Sequence, residues 1–310
     1  MLKIAFLTGD STNRNHTPYF VVIISLTYKA IFYKSCHKKE RSINHMEEAC
    51  MMNELFSLKG RTALITGGSR GIGRMIATGF LEQGARVYIS SRKADVCDQT
   101  AAELSALGTC ISLPADVSSV EGAKVLANEF ASREEKLDIL VNNAGAAWGE
   151  PFDIYSEKGW DKVVDLNMKA PFFLSQALIM QLRKAAENQP AKIINISSID
   201  GIVVNPVETY SYAASKAGLI HLTRRMALRL IKDNIVVSGI APGAFASEMN
   251  KIARDQSDMV AARIPAKRIG RDEDMAGAAI YLASRAGDYV VGITIVVDGG
   301  VTLKAVTLES

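Results

Sequence analysis

Tyr212 and Lys216 stand four residues apart in the stretch Tyr212-Ala213-Ala214-Ser215-Lys216, which reads as helix. That spacing puts a phenol and an ammonium on one helix face, one turn apart. A positive charge beside a phenol favours the phenolate and is expected to lower a pKa that is normally about 10. A phenol tuned in this way can exchange a proton with a carbonyl or alcohol oxygen. Tyr210 is a rival phenol, but only Tyr212 lies one turn from Lys216. Fourteen residues before Tyr212, the apolar run Ile193-Ile194-Asn195-Ile196 ends in the hydroxyls of Ser197 and Ser198. A strand there would carry those hydroxyls to its C-terminal end, where ligands bind in open parallel sheets. Asn167 sits within Val164-Asp165-Leu166-Asn167-Met168. A buried amide must find partners, so it reads either as a satisfied structural group or as part of a site.

These residues need a scaffold, and from residue 58 onward the chain alternates strand and helix. Arg61–Thr66 reads as an apolar strand that runs into Gly67-Gly68-Ser69-Arg70-Gly71-Ile72-Gly73 and then a helix. Glycines let backbone approach a pyrophosphate closely, and the helix N-terminus presents N–H groups and a positive dipole end. The position between strand and helix is the context such a motif requires. The second strand, Arg86–Ser90, is followed by Ser91-Arg92-Lys93 with no acid. An acid there would accept from the ribose 2′-hydroxyl of NAD, whereas Arg92 can pair with the 2′-phosphate of NADP. Arg70 could approach the same phosphate. Further strands are expected around residues 110–113, 137–141, 193–198, 235–240 and 294–300. Helices are expected at about 93–107, 119–135, 158–188, 212–233 and 272–283. Residues 244–265 are less regular and read as a substrate lid. Alternation of this kind implies one parallel sheet with right-handed crossovers and helices on both faces.

Charge is unevenly placed. The net +3 of the 310 residues resides in residues 1–51, and the remainder is neutral, which gives no electrostatic case for nucleic acid. Cys36, Cys50, Cys97 and Cys110 have no metal-ligand or redox spacing and point to a reducing, cytoplasmic compartment. Residues 1–51 are expected to form an N-terminal extension, disordered or upstream of the true start, with Met46, Met51 and Met52 as alternative starts. A membrane-surface segment is a second reading, because aromatics followed by basic residues suit an interface. A targeting peptide is a third. The apolar run Tyr19–Tyr28 is too short to span a bilayer, which needs about 20 residues.

Over about residues 58–303 the chain resembles the short-chain dehydrogenase/reductase family, and within it the 3-oxoacyl-(acyl carrier protein) reductase-like members. Thr66 to Gly73 resembles the family's cofactor loop, Asp116 its adenine-contacting acid, and Asn142-Asn143-Ala144-Gly145 its NNAG element. Asn167, Ser198, Tyr212 and Lys216 match the catalytic tetrad in order, and Pro242-Gly243 with Ser247 matches the element that holds the nicotinamide amide. The resemblance implies an α/β fold with a doubly wound sheet of about seven strands in the order 3-2-1-4-5-6-7, spanning residues 52–310. It also implies NADP(H) in preference to NAD(H). The cofactor contacts it implies begin with Thr66, Gly67, Ser69, Arg70, Gly71, Ile72 and Gly73 on the first turn. They continue through Ser91, Arg92, Asp116, Val117, Asn143, Ala144 and Gly145, and end at Tyr212, Lys216, Pro242, Gly243 and Ser247. Ser198 would bond the substrate carbonyl and Tyr212 exchange its proton. Lys216 would tune the phenol and bond the ribose, and Asn167 would place a water for proton resupply. The expected substrate is a 3-oxoacyl thioester or similar ketone, with oxidation of a sugar or polyol as the alternative. A non-catalytic dinucleotide-binding regulator is a third reading, opposed by the presence of all four tetrad residues. A homotetramer or dimer is expected, with no resident metal.

Overall fold

The computed structural model describes residues 54–303; the expected extension over 1–51 lies outside the described residues. Seven parallel strands form one sheet in the order β3-β2-β1-β4-β5-β6-β7. They are β1 (Thr62–Thr66), β2 (Arg86–Ser90), β3 (Cys110–Ser112), β4 (Ile139–Asn142), β5 (Ala191–Ile196), β6 (Ile235–Pro242) and β7 (Thr294–Val297). The order reverses between β1 and β4, where Ile65 pairs with Ile89 on one side and with Val141 on the other. A doubly wound sheet opens a crevice at such a reversal, outside the carboxyl ends of the strands.

Successive strand residues face opposite ways, and the two cores divide along that line. Ala63, Ile65, Val87, Ile89, Ile139 and Val141 face one layer with Phe80. Leu64, Tyr88, Leu140 and Ile193 face the other with Phe130. The first layer holds α1 (Gly71–Glu82), α2 (Ala94–Leu104) and α10 (Asp272–Ala283). The second holds α3 (Val120–Ala131), α5 (Ala170–Ala177), α6 (Ile179–Ala186) and α7 (Tyr210–Leu230). Both faces are covered, so the strands are apolar almost throughout. Burial of Phe80 and Phe130, both at 0% exposure, contributes about 1.5–3 kcal/mol each.

At the end of the sheet remote from the crevice lies a buried charge cluster. Asp138 Oδ2 accepts from Thr62 N at 2.8 Å, and its Oδ1 lies 3.4 Å from Arg61 Nε. Arg61 Nη2 also donates to the carbonyl of Pro190 at 2.9 Å, and Lys192 Nζ donates to Asp288 at 2.6 Å. Burial lowers the pKa of both Arg61 and Lys192, and their carboxylate partners oppose that shift.

Two expected elements differ in detail. The long helix expected over 158–188 is α4 (Glu157–Val164), a π-helical turn Asp165–Lys169, α5, and α6. The lid region contains two short helices, α8 (Lys251–Asp255) and α9 (Ser257–Ala262).

Candidate active site

A cleft of about 550 Å³ runs along the carboxyl ends of the central strands. Its floor is the turn after β1. Gly67 and Gly71 have φ of +64° and +52°, which only glycine adopts without strain. Gly73 faces back into this turn, where an added Cβ would lie 2.2 Å from the Gly67 carbonyl oxygen. The turn is stitched to the segment after β4. Asn143 Nδ2 donates to the Thr66 and Gly67 carbonyls at 2.9 and 3.2 Å, while Thr66 Oγ1 accepts from Asn143 N and Ala144 N, both at 3.0 Å. Helix α1 begins here after Arg70, with no side-chain cap and no acid in its first turn. Its free N–H groups and positive dipole end therefore suit a diphosphate.

Ser91, Arg92 and Lys93 line one end of the cleft beside Asp116 and Val117. Asp116 is fixed from two sides: its Oδ1 accepts from Ser118 N at 3.0 Å, and its carbonyl presses on Gly122 of α3, where a Cβ would sit 1.8 Å away. Cations near the end of β2, with no acid there, suit an extra phosphate on the adenosine ribose.

Tyr212 and Lys216 line the other end. Lys216 Nζ donates to the Ile196 carbonyl at 2.8 Å and lies 5.7 Å from the centre of the Tyr212 ring. Burial pushes the Lys216 ammonium down to about 8. Tyr212 departs from expectation. Burial raises its phenol to about 12; the Ser198 hydroxyl pulls it down and the Asp200 carboxylate pushes it up. The direction is opposite to that expected from Lys216, because burial is the largest influence on the phenol. Tyr210, the rival phenol, is turned away and donates to Glu208 at 2.9 Å. It packs edge-on against Phe152 with ring centres 5.6 Å apart.

Ser198 caps a 3-10 turn, Ile199–Gly201, just beyond β5, and its Oγ accepts from Asp200 N at 3.1 Å. Asn167 sits in the π-helical turn at 1% exposure. Its Oδ1 accepts from Ala146 N at 2.8 Å, and its Nδ2 donates to the Ala146 carbonyl at 2.9 Å and to Ser215 Oγ at 3.1 Å. A Cβ on Gly145 would lie 3.2 Å from Asn167 Oδ1 and 3.7 Å from Lys216 Nζ, so one methyl-sized space borders both groups.

Of the expected contacts, Thr66, Gly67, Ser69, Arg70, Gly71, Ile72, Asn143, Ala144 and Gly145 also line the cleft. Gly73, Asn167, Ser198, Pro242 and Gly243 are not among the residues that line it. Gly243 packs against Asp298, where a Cβ would lie 2.8 Å from its Cα. Ser247 lines the cleft, its Cβ 3.2 Å from where a Cβ on Gly71 would sit, and its Oγ accepts from Asn250 N at 3.0 Å. Residues that sequence reasoning missed are Lys162, which lines the cleft with its Nζ 4.6 Å from the Trp148 ring centre, and Ile196, which acts through its carbonyl. A main-chain acceptor leaves no side-chain signal.

Comparison with known proteins agrees with this geometry. A family model described as enoyl-(acyl carrier protein) reductase matches residues 67–302. The rhamnolipids biosynthesis 3-oxoacyl-[acyl-carrier-protein] reductase of Pseudomonas aeruginosa is 48% identical over 80% of this chain and 99% of its own. A 2-dehydro-3-deoxy-D-gluconate 5-dehydrogenase of Dickeya dadantii is 39% identical over 81% of this chain and 98% of its own. A solved RhlG/NADP active-site complex from Pseudomonas aeruginosa superposes with a TM-score of 0.78 at 47% identity, covering 80% of this chain and 99% of that one. The chain belongs to the short-chain dehydrogenase/reductase family. It is an oxidoreductase that works with a nicotinamide dinucleotide on a small-molecule substrate. No helix among the described residues is long and apolar enough to cross a membrane.

Proposed function

We propose that the protein is an NADP(H)-dependent reductase of a 3-oxoacyl thioester or similar ketone, with Asn167, Ser198, Tyr212 and Lys216 as its catalytic group. The observation that carries this reading is a single cleft lined by Arg92 and Lys93 after β2 and by Tyr212 and Lys216 on α7. The dinucleotide supplies the hydride. Ser198 holds the substrate carbonyl oxygen, and Tyr212 donates its proton to that oxygen as negative charge develops there. A phenol held at about 12 is protonated at neutral pH, as a proton donor in the reductive direction must be. Lys216 bonds the ribose and resupplies the proton. Asn167 holds the Ala146 backbone in place and, with its Oδ1 and Lys216 Nζ both bordering Gly145, places the water that links the lysine to solvent. Arg92, with Arg70 near it, selects NADP through the 2′-phosphate.

The second reading is oxidation of a sugar acid or polyol, favoured by the gluconate-related dehydrogenase among the relatives. Asp200 and Glu208 could accept from substrate hydroxyls, but both would repel a sugar-acid carboxylate. Against that stand the exposed apolar side chains of Phe152, Val204 and Val207 in the segments around Tyr210, which suit an alkyl chain. A homotetramer or dimer is supported by exposed Trp160, Phe172 and Leu228 on α4, α5 and α7. A reducing cytoplasm suits the free, buried thiols of Cys97 and Cys110. The test is the decay of NADPH absorbance with acetoacetyl thioesters, simple ketones and 5-ketogluconate, and NADP reduction with gluconate. The thioester is expected to turn over fastest, and Tyr212→Phe to lower kcat by about 10²-fold or more. Turnover confined to the sugar acids would establish the second reading; undiminished turnover in Tyr212→Phe would remove the phenol from the reaction.

A further inference from the structure

Segment 196–201 meets Lys216 three times, and only the contact through Ile196 involves the lysine side chain. Ser197 Oγ donates to the Lys216 carbonyl at 2.8 Å. Gly201 lies against the same peptide: a Cβ there would come within 2.6 Å of Lys216 C, 2.8 Å of Ala217 N and 2.9 Å of Lys216 O. All three are backbone atoms of α7 and cannot swing aside. Ser197 N donates to the Ile240 carbonyl of β6 at 2.7 Å, so this buried residue ties β6 to α7 across the end of β5. Ser198 lies between the two contacts, and Tyr212 lies one helical turn before the peptide they grip.

We infer that Ser197 and Gly201 are positioning residues for the reaction: together they register the 196–201 turn on the Lys216–Ala217 peptide and thereby set the Ser198 hydroxyl against the Tyr212 phenol. Ser197 also lines the cleft, but neither residue is given a contact with substrate. The Ser197 hydroxyl spends its proton on the Lys216 carbonyl, and Gly201 contributes only the absence of a side chain. A helix and a strand end joined only by apolar packing could slide by a few tenths of an ångström. A hydrogen bond on one side of Ser198 and a backbone-to-backbone stop on the other remove that freedom. Precision of this kind matters because a misplacement of about 1 Å can cost about 10²-fold in rate.

The inference rests on the proposed role of Ser198, and the test separates the two. With NADPH and an acetoacetyl thioester, kcat is measured for Ser197→Ala, Ser197→Thr, Gly201→Ala, Ser198→Ala and the Ser197→Ala/Ser198→Ala double variant. NADPH affinity is read by fluorescence titration and serves as the check that each variant is folded. Ser197→Ala is expected to lower kcat about tenfold with NADPH affinity retained, because about 1.4 kcal/mol of misalignment corresponds to tenfold. Ser197→Thr, which keeps the hydroxyl, recovers most of that loss. Gly201→Ala loses about 10²-fold. On the Ser198→Ala background, Ser197→Ala adds less than about twofold, because residues that act as a unit are not additive. A merely structural Ser197 would lower thermal stability and leave kcat in place, or would cut kcat by the same factor with and without Ser198; either result overturns the inference. Full activity in Ser198→Ala would instead overturn the reading of the site, and the positioning role with it. If Gly201→Ala fails to fold, the Ser197 series decides.

Discussion

Gly73→Ala tests the cofactor turn more directly than any substitution of a charged residue. The added methyl would lie 2.2 Å from Gly67 O, 2.5 Å from Asn143 Nδ2 and 2.8 Å from Gly67 C. Two of these are backbone atoms, and the third belongs to an amide held by its bonds to Thr66 O and Gly67 O. Ordinary contact begins at 3.4 Å, so the turn must retreat by about 1 Å. Overpacking of this kind costs about 1–3 kcal/mol. The two Asn143 hydrogen bonds add about 1 kcal/mol each if they break. The better helix propensity of alanine returns up to about 1 kcal/mol. The net loss is about 2–4 kcal/mol, or about 5–15 °C in Tm for a domain of this size. The same retreat withdraws the turn from a bound diphosphate, so NADPH affinity is expected to fall at least about tenfold. Differential scanning calorimetry and NADPH fluorescence titration measure the two effects. Gly277→Ala in α10 is the control, since a Cβ there meets nothing within 4 Å. That change is expected to add about 0.5–1 kcal/mol of stability. A Gly73→Ala protein that melts within about 2 °C of the parent and binds NADPH unchanged would refute the account of the turn.

Arg92→Asp is expected to weaken NADPH at least about tenfold and NADH far less, as loss of a charge-assisted phosphate contact requires; equal losses in parallel titrations would take Arg92 off the 2′-phosphate. Asp274 accepts from Arg271 N at 2.8 Å and pairs with Arg268, which together hold its carboxyl down at about 2. Its folded pKa lies below the unfolded value of about 3.9, so its contribution is complete above that pH and fades as pH falls towards 2. Because the pair is partly exposed, Asp274→Asn is expected to cost only about 0.5–1 kcal/mol at pH 6 and about half of that at pH 3 in urea titrations; a difference that stays constant over that range would show that the charge plays no part. Asp138→Ala strands the buried Arg61 guanidinium and is expected to cost about 3–5 kcal/mol in chemical denaturation. NADPH affinity should persist, because the cluster lies at the opposite end of the sheet, and an unchanged denaturation midpoint would sink the argument.

The scaffold was legible because buried parallel strands are written as short apolar runs, and the glycine turn announces itself between β1 and α1. Tyr212 could be preferred to Tyr210 from helical spacing alone, and Glu208 supplies the physical reason by holding Tyr210 aside. The phenol's pKa was not legible. Charge proximity can be read from spacing, whereas burial depends on what the fold closes over the ring, and burial decides the direction for Tyr212. The fragmentation of residues 157–186 was equally hidden, since a single inserted residue shifts the apolar phase only locally inside a long, largely apolar stretch. Close approaches were hidden as well. Gly159 gives no sign in the sequence that Trp148 lies where its Cβ would be, 2.4 Å away. Gly201 likewise gives no sign that α7 passes beside it.

The π-helical turn at Asp165–Lys169 has a consequence for length variation in the gene. A π-helical turn is an α-helical turn carrying one extra residue. Deleting a single residue there would remove the bulge but leave Pro171 inside the merged helix, where it removes a hydrogen bond of the ladder and kinks it. The chain could still fold, yet Asn167 would lose the bulge that aims its amide at Ala146. Point substitutions at the same five positions, which leave the count of residues unchanged, would preserve the bulge and reveal only what each side chain contributes.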